Sequence, residues 1–285
     1  MHLFLSPHPD DAVLSCGGLI HQLIARGEVV TVRTIMAGDP VVVPDTPLIR
    51  DLHQRWDAGD NPMKTRREED ERALHELGVT VEHLLLPDCP YRVNAAGQAL
   101  YAVNASLFGA IHPDDPALKL EITLPEGVGR VPVNLYAPLG AGGHVDHLIV
   151  RELVYRQFLA PTAVGRKSNA GSVAIFFYEE YPYSANSGEA LHMDSDNHGR
   201  EYGSAAVQSA LDTLPVTLQP DIIPLSDADL NAKIRAIACY QSQISTFWDN
   251  PAAMDTGVRR YAQEVDPACQ PGAERLWRTI TQPSS

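Results

Sequence analysis

Hydrophobic and polar positions change period several times along the chain, and each change marks an element. "HLFL" (residues 2–5) is a short apolar run that predicts a strand. After "SPHPDD", Val13, Leu14, Gly17, Ile20, Leu23 and Ile24 recur at helical spacing until Gly27 stops them. "EVVTVRTIM" (residues 28–36) is a continuous β-branched run, the pattern of a buried strand. The order strand, turn, helix, strand predicts an α/β protein with a parallel sheet. Residues 39–63 are rich in Pro, Asp and Gly and predict a long surface loop. Thr65 and Glu68 have capping-box spacing, and Ala73, Leu74 and Leu77 share one face of the helix they open, which Gly78 ends.

Further strands are predicted at "VTVEHLLLP" (residues 79–87), "VPVNLYAPL" (131–139) and "SVAIFFY" (172–178). A helix over 146–159 follows "GAGG". An amphipathic helix is predicted over 227–244, with Leu230, Ile234, Ile237, Cys239 and Tyr240 toward its buried side. Residues 184–203 are polar and predict a loop or lid. With no repeat and no linker, the simplest account is one domain over residues 1–285, with loops inserted at 39–63 and 184–203.

Composition narrows the function. The 285 residues carry a formal net charge of −14, which argues against nucleic acid or an anionic membrane as partner. No apolar stretch approaches the ~20 residues that span a bilayer. The first residues lack the basic region of a signal peptide, so a cytoplasmic protein is expected. Cys16, Cys89, Cys239 and Cys269 form no C-x-x-C and are expected as reduced thiols.

The chemistry concentrates in two stretches. "HPDD" (residues 8–11) follows the first predicted strand, and "GGHVDH" (142–147) follows another. Open α/β sheets bind ligands at the carboxyl ends of strands. If the two strands are neighbours, His8, Asp10, Asp11, His144 and His147 converge, with Asp146 close behind. Two imidazoles and a carboxylate with an open fourth position describe a catalytic zinc site. His8, Asp11 and His147 are assigned as ligands of zinc or a similar divalent ion, and Asp10 as the general base. Spacing alone does not settle which aspartate does which job. An alternative is that Asp10 or Asp11 only caps the following helix. Two other stretches imitate the pattern. "IHPDDP" (111–116) follows a predicted helix and is expected to be a loop. "HMDSDNHG" (192–199) lacks the glutamate of an EF-hand loop and is expected to be solvated.

"PHPDDAVLS" together with "GHVDH" resembles the zinc-dependent LmbE-like, or PIG-L-type, N-deacetylases. "RREEDERALHELGV" (66–79), "DCPYR" (88–92), "FFYEEYPY" (176–183) and "YQSQI" (240–244) agree with this, and the form of the motifs is similar to the branch that deacetylates glycopeptide-antibiotic pseudoaglycones. The resemblance implies a Rossmann-like three-layer fold with a mostly parallel central sheet. It implies hydrolysis of an N-acyl amino sugar or its glycoconjugate, with the same ligands and base. It gives His144, as an imidazolium, the stabilisation of the oxyanion, with Asp146 orienting that ring, and it points to Arg66 as a substrate contact. Arg92 is expected as a further one. Tyr178, Tyr181 and Tyr183, which follow a strand ending on the same face, are expected as flat, hydrogen-bonding contacts for a sugar, the alternative being that they only pack the strand end. Some members carry a tyrosine where this chain has Gly142.

Three rivals differ in class. A dinucleotide oxidoreductase would need glycines where "HPDD" stands. A non-catalytic metal-dependent sugar-binding protein would not need Asp10. A zinc amidase on a non-sugar amide would use the same metal site. The oligomeric state is left open.

Overall fold

The structure, a computed structural model, describes residues 1–125, 132–161, 173–186 and 201–280. In chain order the elements are β1 (His2–Ser6), α1 (Asp11–Ala25), β2 (Val30–Thr34), α2 (Pro47–Trp56), α3 (Pro62–Glu76), β3 (Thr80–His83), α4 (Asn104–Leu107), β4 (Val133–Pro138), α5 (Val145–Val154), β5 (Val173–Tyr178), α6 (Gly203–Thr213), β6 (Leu218–Leu225), α7 (Asp227–Ile237), α8 (Gln241–Phe247), α9 (Pro251–Val265) and β7 (Gly272–Thr279).

The strands form one seven-stranded sheet in the order β3-β2-β1-β4-β5-β7-β6. β1 through β5 are parallel, while β7 runs antiparallel to both β5 and β6. The chain builds outward from β1 to β3, then returns to lay β4 on the other side of β1. Strand order therefore reverses between β1 and β4, and a crevice opens there at the carboxyl ends. The period of two along each strand divides the core. Phe4, Tyr136 and Tyr178 pack with α1, α3, α7 and α9, whereas Leu3, Leu5, Leu135 and Phe177 pack with α5 and α6.

Several expectations are corrected. Residues 39–63 are not one loop, because α2 lies within them. Thr46 caps it through Oγ1, which accepts from the Ile49 nitrogen at 3.2 Å, and Pro47 opens its first turn. Leu48, Ile49, Leu52 and Trp56 are buried in a third apolar cluster with Cys89, Tyr91 and Tyr101. α3 starts at Pro62 rather than Thr65, since Asn61 caps it and the Thr65 hydroxyl donates to the Ala58 carbonyl. The helix expected over 227–244 is two helices, broken at Tyr240. After α5 the chain widens its last turn with an Ala160-to-Tyr155 bond of 2.8 Å, an i to i−5 pattern. Most of the expected 184–203 loop, residues 187–200, lies outside the described residues, and "HMDSDNHG" with it. The four cysteines are free, and no helix among the described residues is long and apolar enough to cross a membrane.

Candidate active site

β1 delivers "HPDD" and β4 delivers "GAGGHVDH", and the two strands are hydrogen-bonded neighbours. Neither aspartate caps α1 with its side chain. The cap comes from Ser6, whose Oγ accepts from the Ala12 nitrogen at 3.0 Å and donates to the His8 carbonyl at 2.7 Å. Asp10 stands at the N-cap position with φ 118° and ψ −40°, a conformation that strains a residue with a Cβ. This backbone turn leaves both carboxylates free to face the crevice.

Asp11 Oδ2 is the focus of the site. It lies 3.0 Å from His8 Nδ1, 3.3 Å from His147 Nε2 and 2.8 Å from the His8 backbone nitrogen. The far nitrogen of each ring meets another carboxylate: His8 Nε2 is 3.0 Å from Asp146 Oδ2, and His147 Nδ1 is 3.3 Å from Glu180 Oε1. Glu180 is itself held by the backbone nitrogens of Gly140 (2.5 Å) and Ala141 (3.1 Å). A carboxylate behind each imidazole fixes which nitrogen faces Asp11. His8, His144 and His147 also offer ring nitrogens within 4.8 Å of one another, so the described residues include groups close enough to hold a metal ion.

Burial and neighbouring charge set the protonation of these groups. Burial pushes the His8 and His147 pKa values down, but the facing carboxylates outweigh it. Asp88, Asp11 and Asp146 hold His8 well above its ordinary value, and Asp11 and Glu180 hold His147 at about 9. Burial acts against ionised Asp11 too, yet His147 and His8 pull it well below the usual carboxylate range. Asp10 goes the other way: burial and the adjacent Asp11 raise it well above that range, against Arg66. Burial, His8 and His147 bring His144 down to about 3. Its Nδ1 accepts from the Asp146 backbone nitrogen at 3.3 Å, which leaves the proton on Nε2.

Among the described residues the Asp146 carboxylate has no hydrogen bond to His144. It receives His8 Nε2, the Cys89 nitrogen at 3.1 Å and Arg92. Arg92 is fully buried beneath it, bridges to Asp115 at 3.0 Å, and does not line the cavity as a substrate contact would. Asp115 belongs to the imitating "IHPDDP" stretch, a turn whose buried carboxylate also takes the Tyr101 hydroxyl at 2.7 Å. Tyr181 is likewise away from the cavity, stacked on Tyr261 at 4.7 Å, and the Tyr178 hydroxyl donates to the Leu5 carbonyl.

A cavity of about 80 Å³ opens at this crevice. His8, Asp10, Asp11, Arg66 and His144 line it from the predicted set. Arg66 is buried, 3.7 Å from Asp10, 3.1 Å from Asp88 and 3.3 Å from the Pro9 carbonyl. Tyr183 lines the cavity too. A Cβ on Gly142 (φ +81°) would meet the Tyr183 Cγ at 2.7 Å, so the tyrosine of some relatives has no room there. Asp88, Glu180 and the wall from Trp56, Gln243 and Thr246 were not singled out from sequence as site residues. Asp88 and Glu180 do lie inside "DCPYR" and "FFYEEYPY", and both are buried acids.

A mostly parallel sheet with imidazoles and carboxylates gathered at its switch point is the build of an α/β enzyme whose ligand sits at strand ends. The chain belongs to the PIG-L family, described as GlcNAc-PI de-N-acetylase, whose model matches residues 3–158. It is 29% identical over 209 residues to a 2'-N-acetylparomamine deacetylase of Niallia circulans, covering 66% of this chain and 70% of that protein. A protein of the same description from Streptomyces fradiae is 29% identical over 242 residues, covering 85% and 72%. Among solved structures, the zinc-inhibited form of teicoplanin deacetylase Orf2 superposes with a TM-score of 0.71 at 23% identity, over 100% of this chain and 99% of that one.

Proposed function

We propose that the protein is a zinc-dependent hydrolase that removes the N-acetyl group from an amino sugar or its glycoconjugate. The observation that carries this reading is the convergence of His8 Nδ1 and His147 Nε2 on Asp11 Oδ2, with Asp10 lining the cavity alongside His8 and Asp11. Ligands about 2.05 Å from a tetrahedral zinc are about 3.3 Å apart. The separations of 3.0 Å and 3.3 Å fit two edges of such a site. His8, Asp11 and His147 would hold the ion, Asp146 and Glu180 would orient the two rings, and the ion would supply Lewis acidity and a water of pKa ~7. The sheet with helices on both faces supports a Rossmann-like three-layer arrangement.

The chain's own groups then carry the proton traffic. Asp10 takes a proton as the water oxygen bonds to the amide carbon. His144, whose Nδ1 is taken by the Asp146 nitrogen, donates Nε2–H to the oxygen that gains charge. Asp10 returns its proton to the nitrogen as the C–N bond breaks, which releases acetate and the free amine. Arg66, against Asp10 and Asp88, keeps the base in place and faces the sugar. The relatives' names, deacetylases of paromamine and teicoplanin derivatives, support an acetylated sugar as substrate. The test is amine release from a panel of N-acetyl amino sugars and glycosides by zinc-loaded and chelator-treated protein. Turnover that is lost on chelation and restored by zinc is expected. Full turnover without metal would overturn the reading.

A further inference from the structure

One wall of the cavity comes from α8, which contributes Gln243, Thr246 and Phe247. Thr246 is 6% exposed, and its Oγ1 has no hydrogen-bond partner among the described residues. A buried hydroxyl left unpaired is costly, so native proteins satisfy nearly all of them. A helical threonine has a ready partner in the carbonyl one turn back, and such residues often use it. Thr246 does not. Gln243 beside it is engaged, since its Nε2 donates to Ser242 Oγ at 2.9 Å. The helix is not free to shift and relieve the hydroxyl, because Ser242 is bonded through nitrogen and Oγ to the buried Glu69 of α3.

We propose that Thr246 is a specificity-determining residue whose hydroxyl binds a ring hydroxyl of the amino sugar. This rests on the deacetylase reading above. A sugar hydroxyl both donates and accepts, so it satisfies Oγ1 in either role. Thr246 lines the same cavity as Asp10 and His144, so a sugar whose N-acyl group meets those residues presents its remaining ring hydroxyls to the cavity walls. Recognition of this kind discriminates against analogues that lack the hydroxyl, because the site's buried hydroxyl is then left unpaired.

The test compares wild type, Thr246→Val and Thr246→Ser. Two readouts are thermal unfolding of each protein, and kcat/KM on the N-acetyl amino sugar that wild type hydrolyses fastest and on analogues each lacking one ring hydroxyl. Thr246→Val is expected to unfold no earlier than wild type, since it removes no internal bond. It should lose roughly 3–15-fold in kcat/KM, the worth of one hydrogen bond between uncharged groups. Thr246→Ser should keep the wild-type value. One analogue should lose a similar factor with wild type and nothing further with Thr246→Val. Equal discrimination by wild type and Thr246→Val across the series would overturn the proposal, as would a lower unfolding temperature for Thr246→Val, which would mean an internal role. Wild-type turnover of the parent sugar tests the deacetylase reading separately, and the unfolding comparison does not depend on it.

Discussion

Glu69 accepts both the backbone nitrogen and the hydroxyl of Ser242, at 2.9 Å and 2.5 Å. One residue along, Asp70 accepts the Tyr240 hydroxyl at 2.6 Å. The acids of "RREED" and the polar residues of "YQSQI" are thus two halves of one joint between α3 and α8. Arg66, one turn before Glu69, faces the cavity from the same helix. The joint sets the spacing between the cavity floor and its α8 wall. Glu69→Ala leaves the buried Ser242 nitrogen unpaired and should cost about 1–3 kcal/mol of stability. Thermal or denaturant unfolding measures it, and an unchanged midpoint would show that the joint is dispensable.

Asp10 and Asp11 are adjacent but should fail differently. Asp10→Asn keeps the shape and removes the proton acceptor, so kcat should fall ~10²–10⁴-fold with metal content unchanged. Asp11→Asn removes the carboxylate on which both imidazoles converge, and metal affinity should drop first. Metal analysis beside turnover separates them, and swapped phenotypes would reverse the assignment.

Glu180 touches no cavity surface, yet its carboxylate sets the orientation of His147 while gripping Gly140 and Ala141. Glu180→Gln should weaken zinc binding by roughly 10–100-fold, the usual effect of losing a carboxylate behind a metal-bound histidine. Competition against a chromophoric chelator reads this. Zinc affinity equal to wild type would remove Glu180 from the metal centre.

Away from the site, Asp229 in the first turn of α7 makes a measurable acid dependence. Burial works against its ionised form, but hydrogen bonds from Ser226, His21 and Gln22 outweigh it and hold the pKa below the ordinary value. A folded pKa below the unfolded ~3.9 gives stabilisation that is complete above about pH 4 and vanishes as pH falls through the folded value. Asp229→Asn should therefore unfold about 1 kcal/mol more easily at pH 7, and the gap should close in acid. A gap that is constant with pH would exclude the linkage.

What the sequence disclosed followed local rules. β1, α1 and β2 announce themselves by period, and "HPDD" and "GGHVDH" by following strands. Whether those strands touch depends on the reversal of strand order, which no local pattern carries. α2 was hidden by composition. Its Pro, Asp and Gly flanks suggest a loop, while the partners that bury Leu48, Leu52 and Trp56 lie near Tyr91 and Tyr101. Arg92 has the residue type of a surface or substrate group. Only Asp146 and Asp115, brought from either side, make full burial of its charge tolerable. The direction of the Asp146 side chain, toward His8 instead of His144, follows from how α5 leaves β4 and could not be read from spacing.

The backbone of Asp10 sets two kinds of fitness against each other. Held at φ 118° and ψ −40°, it sits where glycine is at ease and a residue with a Cβ costs about 1–3 kcal/mol. A library sorted only for heat resistance would enrich glycine at this position, and with it molecules that fold better and no longer carry the carboxylate. Durability and turnover are selected in opposite directions at a single residue, so any effort to toughen this protein must score product formation alongside survival.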